Sequence, residues 1–126
     1  MDLERARYLV SAEGRRALTA LPAELEELSA NALADALRRG YPPARASALA
    51  EQVTLRRRAR ERHGDGRRML YTRLGLEMMT HPLVAERRAA RLAAPGVAVV
   101  DLTCSIGWDL RAIADASEVV VGVDVD

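Results

Sequence analysis

The first three quarters of the chain have the hydrophobic pattern of α-helices. From Leu21 to Gly40, leucine and alanine recur every three or four positions, and prolines after the glycine close this amphipathic helix. A second helix with an apolar face begins near Pro43, continues through an arginine-rich segment and ends at Gly64-Asp65-Gly66. Residues 1–94 are therefore predicted to form a helical domain.

Two shorter helices are predicted before the pattern changes. One lies around Leu74 to Met79, and the other runs from Pro82 to about Ala93. Pro95-Gly96 then interrupts the helical pattern and marks the predicted domain boundary. We expect Met78 and Met79 to fill the core of this region rather than to form a binding surface.

Residues 97–126 have a strand–helix–strand pattern. Val97-Ala98-Val99-Val100 and Glu118–Val123 are β-branched runs of strand length, and Trp108–Ala116 between them has helical spacing. Nearly continuous valine runs are typical of parallel strands that are buried on both faces. The predicted fold class is α+α/β, with a helical N-terminal domain followed by the first βαβ unit of an incomplete Rossmann-like sheet.

Composition argues against several classes of protein. The 126 residues include 19 basic residues, all arginine, and 18 acidic ones, so the net charge of +1 neither indicates nor excludes a nucleic-acid partner. A lone cysteine, Cys104, excludes an internal disulfide, and the distant His63 and His81 argue against a metal site. The single cysteine suits a reducing cytoplasm, and the charged N-terminus and the lack of a membrane-length apolar run predict a protein without a signal peptide or membrane segment.

The ends of the two predicted strands carry the clearest chemistry. The first strand runs into Asp101-Leu102-Thr103-Cys104-Ser105-Ile106-Gly107, and Asp124 closes the second strand. Ligands of a doubly wound sheet bind beyond the carboxyl ends of its strands, where small side chains let the backbone approach them. Asp124 lies 17 residues after Gly107, a spacing that suits hydrogen bonds to ribose hydroxyls. We therefore predict a cofactor that contains ribose.

The charge at the first strand end narrows the choice of cofactor. A carboxylate at Asp101 would repel the pyrophosphate of a nicotinamide dinucleotide. S-adenosylmethionine carries an ammonium and a sulfonium beside one carboxylate, so an acidic strand end favours its cationic part and the next helix N-terminus receives its carboxylate. The sequence thus predicts S-adenosylmethionine, with another ribose-containing cofactor on the same βαβ unit as an alternative.

Two stretches of the chain resemble a known family of enzymes. Val99–Asp109 is similar to the first motif of class I S-adenosylmethionine-dependent methyltransferases, and Val121–Asp124 resembles the second. The Asp-x-x-Cys-x-x-Gly form of the turn, behind helical segments at Ser11–Leu21 and Asp65–Thr80, resembles bacterial methyltransferases with a THUMP-like domain. These enzymes are akin to the trimethylguanosine synthase group, whose substrates are RNA caps.

The resemblance implies a division of the chain and a set of site residues. It makes residues 1–94 a THUMP-like helical domain and residues 97–126 the truncated start of a Rossmann-like domain, with RNA as a candidate methyl acceptor. Because the complete sheet has about six or seven strands, we expect an N-terminal fragment that is inactive alone, with its catalytic residues beyond residue 126. The residues implied at the cofactor are Asp101, Thr103, Cys104, Ser105, Gly107 and Asp124.

Several residues of the first motif depart from the usual pattern or have a second explanation. Thr103 and Ser105 stand where the motif usually has glycine, and a positive φ at either would cost about 1 kcal/mol or more. Cys104 has no histidine near it in sequence and is interpreted as a packing residue. Trp108, at a position that is usually small, and Asp109 are placed at the margin of the site.

An arginine cluster supports an alternative function. Seven arginines between Arg56 and Arg68, against Glu61 and Asp65, suit a phosphate backbone. A solvated helix face explains the same pattern, and no aromatic residues alternate with these arginines to stack on bases. The alternative is a small helical module that binds nucleic acid or an acidic partner. The residues predicted to contact RNA are Arg56, Arg57, Arg60, Arg67 and Arg68.

Overall fold

The computed structural model describes residues 3–64 and 69–125. Contacts within the chain divide it into two compact units, Met1–Thr72 and Arg73–Asp126. The described residues are mostly helical, with a small parallel sheet in the second unit, and so are compatible with the predicted α+α/β class. The predicted boundary at Pro95-Gly96 falls inside the second unit, and the division into domains 1–94 and 97–126 stays a prediction.

The described residues of the first unit form helices. In chain order these are α1 (Leu3–Val10), α2 (Ala12–Ala20), a 3₁₀ helix (Ala23–Glu27), α3 (Ala30–Arg38) and α4 (Pro43–His63). Serine caps begin α2 and α3, because the hydroxyl oxygens of Ser11 and Ser29 accept hydrogen bonds from the N–H groups of Gly14 and Ala32. Such a cap contributes about 1 kcal/mol to the stability of a helix.

The single amphipathic helix predicted over residues 21–40 is wrong, because the segment is broken in its middle. The 3₁₀ helix is followed by an extended Leu28, and α3 begins only after its cap Ser29. Arg57 of α4 stabilises the break, since its guanidinium donates hydrogen bonds to the backbone carbonyls of Glu26 (2.9 Å) and Leu28 (3.1 Å). A tertiary contact therefore overrides the helical spacing of the leucines.

α4 supplies many of the buried residues of the first unit. Gln52 is the buried polar residue within this helix. Its side-chain amide both donates a hydrogen bond to and accepts one from the backbone of a single residue. Gln52 Nε2 donates to the carbonyl oxygen of Tyr71 at 2.7 Å, and the Tyr71 N–H donates to Gln52 Oε1 at 2.9 Å. The apolar cluster consists of Leu9, Ala17, Leu18, Leu33, Leu37, Ala46, Ala48, Leu49, Ala50 and Val53.

The second unit contains a parallel βαβ arrangement. Its elements are α5 (Arg73–Glu77), α6 (Pro82–Leu92), β1 (Ala98–Asp101), α7 (Trp108–Ala114) and β2 (Val119–Gly122). β1 and β2 are parallel, and the register pairs Ala98 with Val119 and Asp101 with Gly122. α7 packs against both α6 and β2. The predicted order of strand, helix and strand is confirmed for residues 98–122, while a larger Rossmann-like sheet stays a prediction.

Gly122 allows α7 to approach β2 closely. A Cβ atom at this position would lie 2.3 Å from Leu110 Cδ1 and 2.8 Å from Cys104 Sγ, distances that no real Cβ contact reaches. The sulfur of Cys104 therefore packs over the end of β2, in keeping with its interpretation as a packing residue.

The valines of the sheet are more exposed than the sequence predicts. Val100 is 56% exposed, and Val119 and Val121 are 49% and 45% exposed. The expectation that both faces are buried is wrong for the described residues. A sheet of two strands with α7 packed against β2 leaves much of its apolar surface open to solvent.

Candidate ligand-binding site

The turn between β1 and α7 is held by hydrogen bonds among its own residues. Asp101 Oδ1 accepts a hydrogen bond from the N–H of Thr103 at 3.0 Å. The carbonyl oxygen of Cys104 accepts one from the N–H of Gly107 at 2.8 Å. An aspartate that bonds to the backbone two residues later is a common way to begin a turn. The side chain of Asp101 therefore shapes the turn as well as adding charge to it.

Two residues of this turn have a left-handed backbone conformation. Gly107, which precedes α7, has a φ of 78°, and Ser105 has a φ of 48°. Glycine adopts this conformation readily, whereas it costs a residue with a Cβ atom about 1–2 kcal/mol. Of the two positions where the motif departs from glycine, Ser105 has a positive φ and Thr103 does not. Strain in the turn is thus located at Ser105.

Hydrogen bonds join the turn to the end of β2. The N–H of Ser105 donates to Asp124 Oδ2 at 2.6 Å, and the N–H of Val123 donates to the carbonyl oxygen of Asp101 at 2.8 Å. Asp124 Oδ1 accepts a further bond from the N–H of Val125 at 2.8 Å. The two acidic strand ends that the sequence singles out therefore lie at one edge of the sheet, and Asp124 has a fixed orientation there.

A cleft of about 280 Å³ opens at the carboxyl end of β1, within the second unit. Small-molecule sites usually occupy about 300–1,000 Å³, so the cleft lies just below the lower end of this range. It is lined by residues of the β1–α7 turn, the first turn of α7, α5, α6 and the segment between α5 and α6. These residues are Gly75, Met78, Met79, Thr80, Arg88, Asp101, Thr103, Cys104, Ser105, Ile106, Trp108 and Asp109.

The cleft brings together part of the site predicted from the sequence. Four of the six predicted cofactor residues line it: Asp101, Thr103, Cys104 and Ser105. The other two lie beside these four without lining the cleft, since Gly107 ends the turn and Asp124 is bonded to Ser105. Trp108 and Asp109, which the sequence places at the margin, line the cleft as well.

The sequence does not predict the contribution of the helical segment to this cleft. Thr80 and Arg88 line it, and no motif marks either residue. Met78 and Met79 also line it, and the prediction that they fill the core is wrong for Met78, which is 73% exposed. Met78 lies beyond the end of α5 rather than on a buried helix face. In the sequence, the carboxylate of Asp109 is the feature that indicates a basic partner in this region.

An ion pair at the cleft joins α6 to α7. Arg88 Nη1 lies 2.8 Å from Asp109 Oδ2, and the hydroxyl of Thr80 donates to the same oxygen at 2.8 Å. Arg88 Nη1 also donates to Thr80 Oγ1 at 3.3 Å. The other carboxylate oxygen, Asp109 Oδ1, is shielded from solvent and has no hydrogen-bond partner among the described residues. The charge of Asp109 is therefore stabilised mainly through Oδ2.

Three of the five arginines that were predicted to contact RNA have partners within the first unit. Arg56 Nε donates to the carbonyl oxygen of Met69 at 3.0 Å. Arg57 holds the break between the 3₁₀ helix and α3, and Arg60 forms an ion pair with Glu26. These three side chains contribute to the fold of the first unit, which gives each of them a structural role.

The burial of Arg56 agrees with this structural role. Burial lowers the pKa of its guanidinium from the usual value, against the opposing effects of Tyr71 and Glu26. Arg67 and Arg68 lie outside the described residues. RNA contact by the five arginines stays a prediction.

Two further properties concern membranes and metals. None of the helices within residues 3–64 and 69–125 has both the length and the hydropathy needed to cross a membrane. In the same residues, histidine, cysteine, aspartate and glutamate side chains form no group of three or more that would hold a metal ion.

Comparisons with known proteins give two kinds of match. A family model described as a domain of unknown function, DUF8688, matches residues 2–59, which lie in the first unit. Two curated proteins from different strains of Mycobacterium tuberculosis, each named an uncharacterized S-adenosylmethionine-dependent methyltransferase, are 40% identical to the chain over 88 residues.

These relatives are much longer than the segment that matches. The alignment covers 65% of this chain and 24% of each relative, so the chain spans about a quarter of the length of the curated relatives it matches. No solved structure matches the chain. The similarity is therefore to one part of proteins that carry this name.

Proposed function

We propose that this chain carries cofactor-binding residues of an S-adenosylmethionine-dependent methyltransferase. The observation that carries the proposal is the hydrogen bond from the Ser105 N–H to Asp124 at 2.6 Å, because it joins the turn after β1 to the chain that follows β2, beside a cleft. Ligands of open parallel sheets bind at this edge. The similarity to relatives named as S-adenosylmethionine-dependent methyltransferases supports this cofactor.

The charges that line the cleft suit this cofactor. Asp101 and Asp109 contribute two negative charges and Arg88 contributes one positive charge, so these side chains have a net charge of −1. S-adenosylmethionine has a net charge of +1, because its sulfonium and ammonium outnumber its carboxylate. Opposite charges attract more strongly in a partly desolvated cleft than in bulk water. A cationic ligand is therefore favoured over an anionic one.

The place of Asp124 in the chain supports a role for its carboxylate in binding ribose. It follows the second parallel strand, and backbone N–H groups of Ser105 and Val125 hold its two oxygens in place. Carboxylates at this strand end bind vicinal ribose hydroxyls in related sheet architectures. The small side chains of Thr103 and Cys104 leave room for the rest of the cofactor along the turn.

The test is the binding of S-adenosylhomocysteine to the native protein and its variants, measured by isothermal titration calorimetry. Asp124→Asn removes the charge, and we expect it to weaken affinity about tenfold or more, because a hydrogen bond to a charged group contributes about 1.5–3 kcal/mol. Asp115→Asn is the matched control, since it removes a carboxylate at the opposite end of α7. We expect the control to bind as the wild type does.

Two outcomes contradict different parts of the proposal. Unchanged affinity in Asp124→Asn would show that this carboxylate does not bind the ribose. If the wild type binds neither S-adenosylhomocysteine nor S-adenosylmethionine, the cofactor itself is wrong. Circular dichroism of each variant verifies that a loss of affinity does not come from unfolding.

The finer parts of the prediction rest on the resemblance rather than on the described contacts. We retain RNA as a candidate methyl acceptor and a THUMP-like helical domain in a cytoplasmic enzyme as parts of the proposal. The internal partners of Arg56, Arg57 and Arg60 add no support for RNA. The rival function, a helical module that uses this cluster, is not favoured by any described contact.

A further inference from the structure

Arg88 is the basic side chain among the described residues that line the cleft. It belongs to α6 and not to the β1–α7 turn from which the cofactor residues were predicted. Its guanidinium lies 2.8 Å from Asp109 Oδ2 and 3.3 Å from the hydroxyl oxygen of Thr80. The proposed function assigns no role to this arginine.

We propose that Arg88, through its ion pair with Asp109, sets the preference of the cleft for a cationic ligand over a neutral one. The two ligands are S-adenosylmethionine, with a net charge of +1, and S-adenosylhomocysteine, which lacks the sulfonium and has no net charge. The inference rests on the proposed function and adds a residue that determines specificity between cofactor and product.

The geometry of the pair places the guanidinium of Arg88 directly against the carboxylate of Asp109. The Asp109 side chain is 22% exposed, so solvent screens it only in part. The hydroxyl of Thr80 adds a hydrogen bond to Oδ2 but no charge. Arg88, whose side chain is 55% exposed, therefore offsets part of the field that Asp109 adds to the cleft, and Asp101 is the other negative charge among the lining residues.

This arrangement predicts opposite effects for the two members of the pair. Without Arg88, the lining side chains have a net charge of −2, and the preference for the cation rises. Without the charge of Asp109, Arg88 offsets Asp101, the net charge is zero, and the preference falls. Without both, Asp101 alone restores the net charge of −1 and a preference close to that of the wild type.

The experiment measures both ligands by isothermal titration calorimetry on the native protein. The quantity is the preference ratio, the Kd of S-adenosylhomocysteine divided by the Kd of S-adenosylmethionine. We expect Arg88→Met to raise this ratio about threefold to tenfold and Asp109→Asn to lower it by a similar factor, from the Coulombic energy of one charge at a partly screened site. We expect the double variant to return close to the wild-type ratio.

Two controls separate charge from structure. Arg88→Lys keeps the charge at this position, and we expect it to keep the ratio. Arg87→Met removes the neighbouring charge of α6, which is exposed and does not line the cleft, and we expect no change in the ratio. A substitution that only distorts the cleft weakens the binding of both ligands. It does not raise the preference ratio in one variant and lower it in the other.

The results that overturn the inference are distinct from those that refute the proposed function. If the wild type binds both ligands but the ratio does not change, or shifts in one direction for Arg88→Met and Asp109→Asn, Arg88 does not set the preference. If the wild type binds neither ligand, both proposals fail together. Should circular dichroism show that Arg88→Met is unfolded, Arg88→Gln, which also removes the charge, takes its place in the single and double variants.

Discussion

Tyr8 of α1 has a hydroxyl that is shielded from solvent and has no hydrogen-bond partner among the described residues. The guanidinium of Arg45 lies 4.9 Å from the centroid of its ring and also pairs with Glu13. Burial raises the pKa of the Tyr8 hydroxyl, Glu13 and Tyr41 raise it further, and Arg45 opposes them. The folded protein therefore favours the neutral phenol.

We expect Tyr8→Phe to keep the free energy of unfolding at neutral pH or to raise it by up to about 1 kcal/mol, since a buried hydroxyl is removed and no hydrogen bond is lost. Above a pH of about 10, the unfolded chain releases the tyrosine proton while the folded protein retains it. Wild-type stability therefore falls as pH rises, and that of Tyr8→Phe falls less steeply.

Urea unfolding followed by circular dichroism, at neutral pH and just above pH 10, measures both effects. At neutral pH, Tyr41→Phe is the control for the loss of a phenol elsewhere in the same unit. A loss of more than about 1 kcal/mol in Tyr8→Phe at neutral pH would show that the hydroxyl makes a stabilising hydrogen bond.

At the scale of residues, the sequence predicts side chains that are close to one another along the chain. Asp101, Thr103 and Ser105 lie close together in sequence at the end of one strand. Predicting where that strand ends therefore also predicts where these three residues lie. Arg88 lies 21 residues before its partner Asp109, and no spacing rule links an arginine on one helix to the first turn of another. The ion pair required knowledge of how α6 packs against α7.

At the scale of elements, Gly122 makes the packing of α7 on β2 testable. Gly122→Ala places a Cβ atom 2.3 Å from Leu110 Cδ1 and 2.8 Å from Cys104 Sγ, so the helix or these side chains must move. We expect the free energy of unfolding to fall by about 1–3 kcal/mol, the usual cost of overpacking. Chemical unfolding followed by circular dichroism measures the change.

A control and a rescue variant define what the result for Gly122 means. Gly40→Ala adds a methyl group where no atom lies within 4 Å, and we expect it to leave stability nearly unchanged. Leu110→Ala combined with Gly122→Ala opens space for the new Cβ atom, and we expect the double variant to lose less than the sum of the two single losses. Strict additivity would contradict the proposed clash.

Periodicity predicts most of the helices but not their interruptions. The long helix from Pro43 and the helix from Pro82 begin at the predicted proline, which suits the first turn of a helix. Periodicity does not predict the break at Leu28, because the break depends on Arg57, 29 residues later, which binds the Leu28 carbonyl. A pattern of leucines every three or four residues cannot register a hydrogen bond made by another element.

At the scale of the whole molecule, the sequence predicts where the strands lie but not how the helices pack against them. The change from helical to β-branched patterning after Pro95-Gly96 correctly indicates where the described strands begin, since β1 and β2 both follow it. It does not reveal that α6 packs with α7, which assigns the residues from Arg73 onward to the second unit. Buried residues of this segment such as Leu76 and Ala85 therefore belong to the second unit and not to the core of the first.

The division after Thr72 and the predicted division at Pro95-Gly96 lead to different expectations about which fragments fold. The apolar cluster of the first unit is formed by residues of α1 to α4, and Tyr71 is fixed to Gln52 by two hydrogen bonds. We expect residues 1–72 to fold alone and to show the same urea midpoint as residues 1–94 when both are followed by circular dichroism.

A fragment of residues 1–68 lacks the buried Tyr71 ring and leaves the Gln52 amide without its partners. We expect it to be less stable by about 3 kcal/mol or more. If residues 1–94 fold cooperatively and residues 1–72 do not, α5 and α6 belong to the helical domain and the boundary is at Pro95-Gly96.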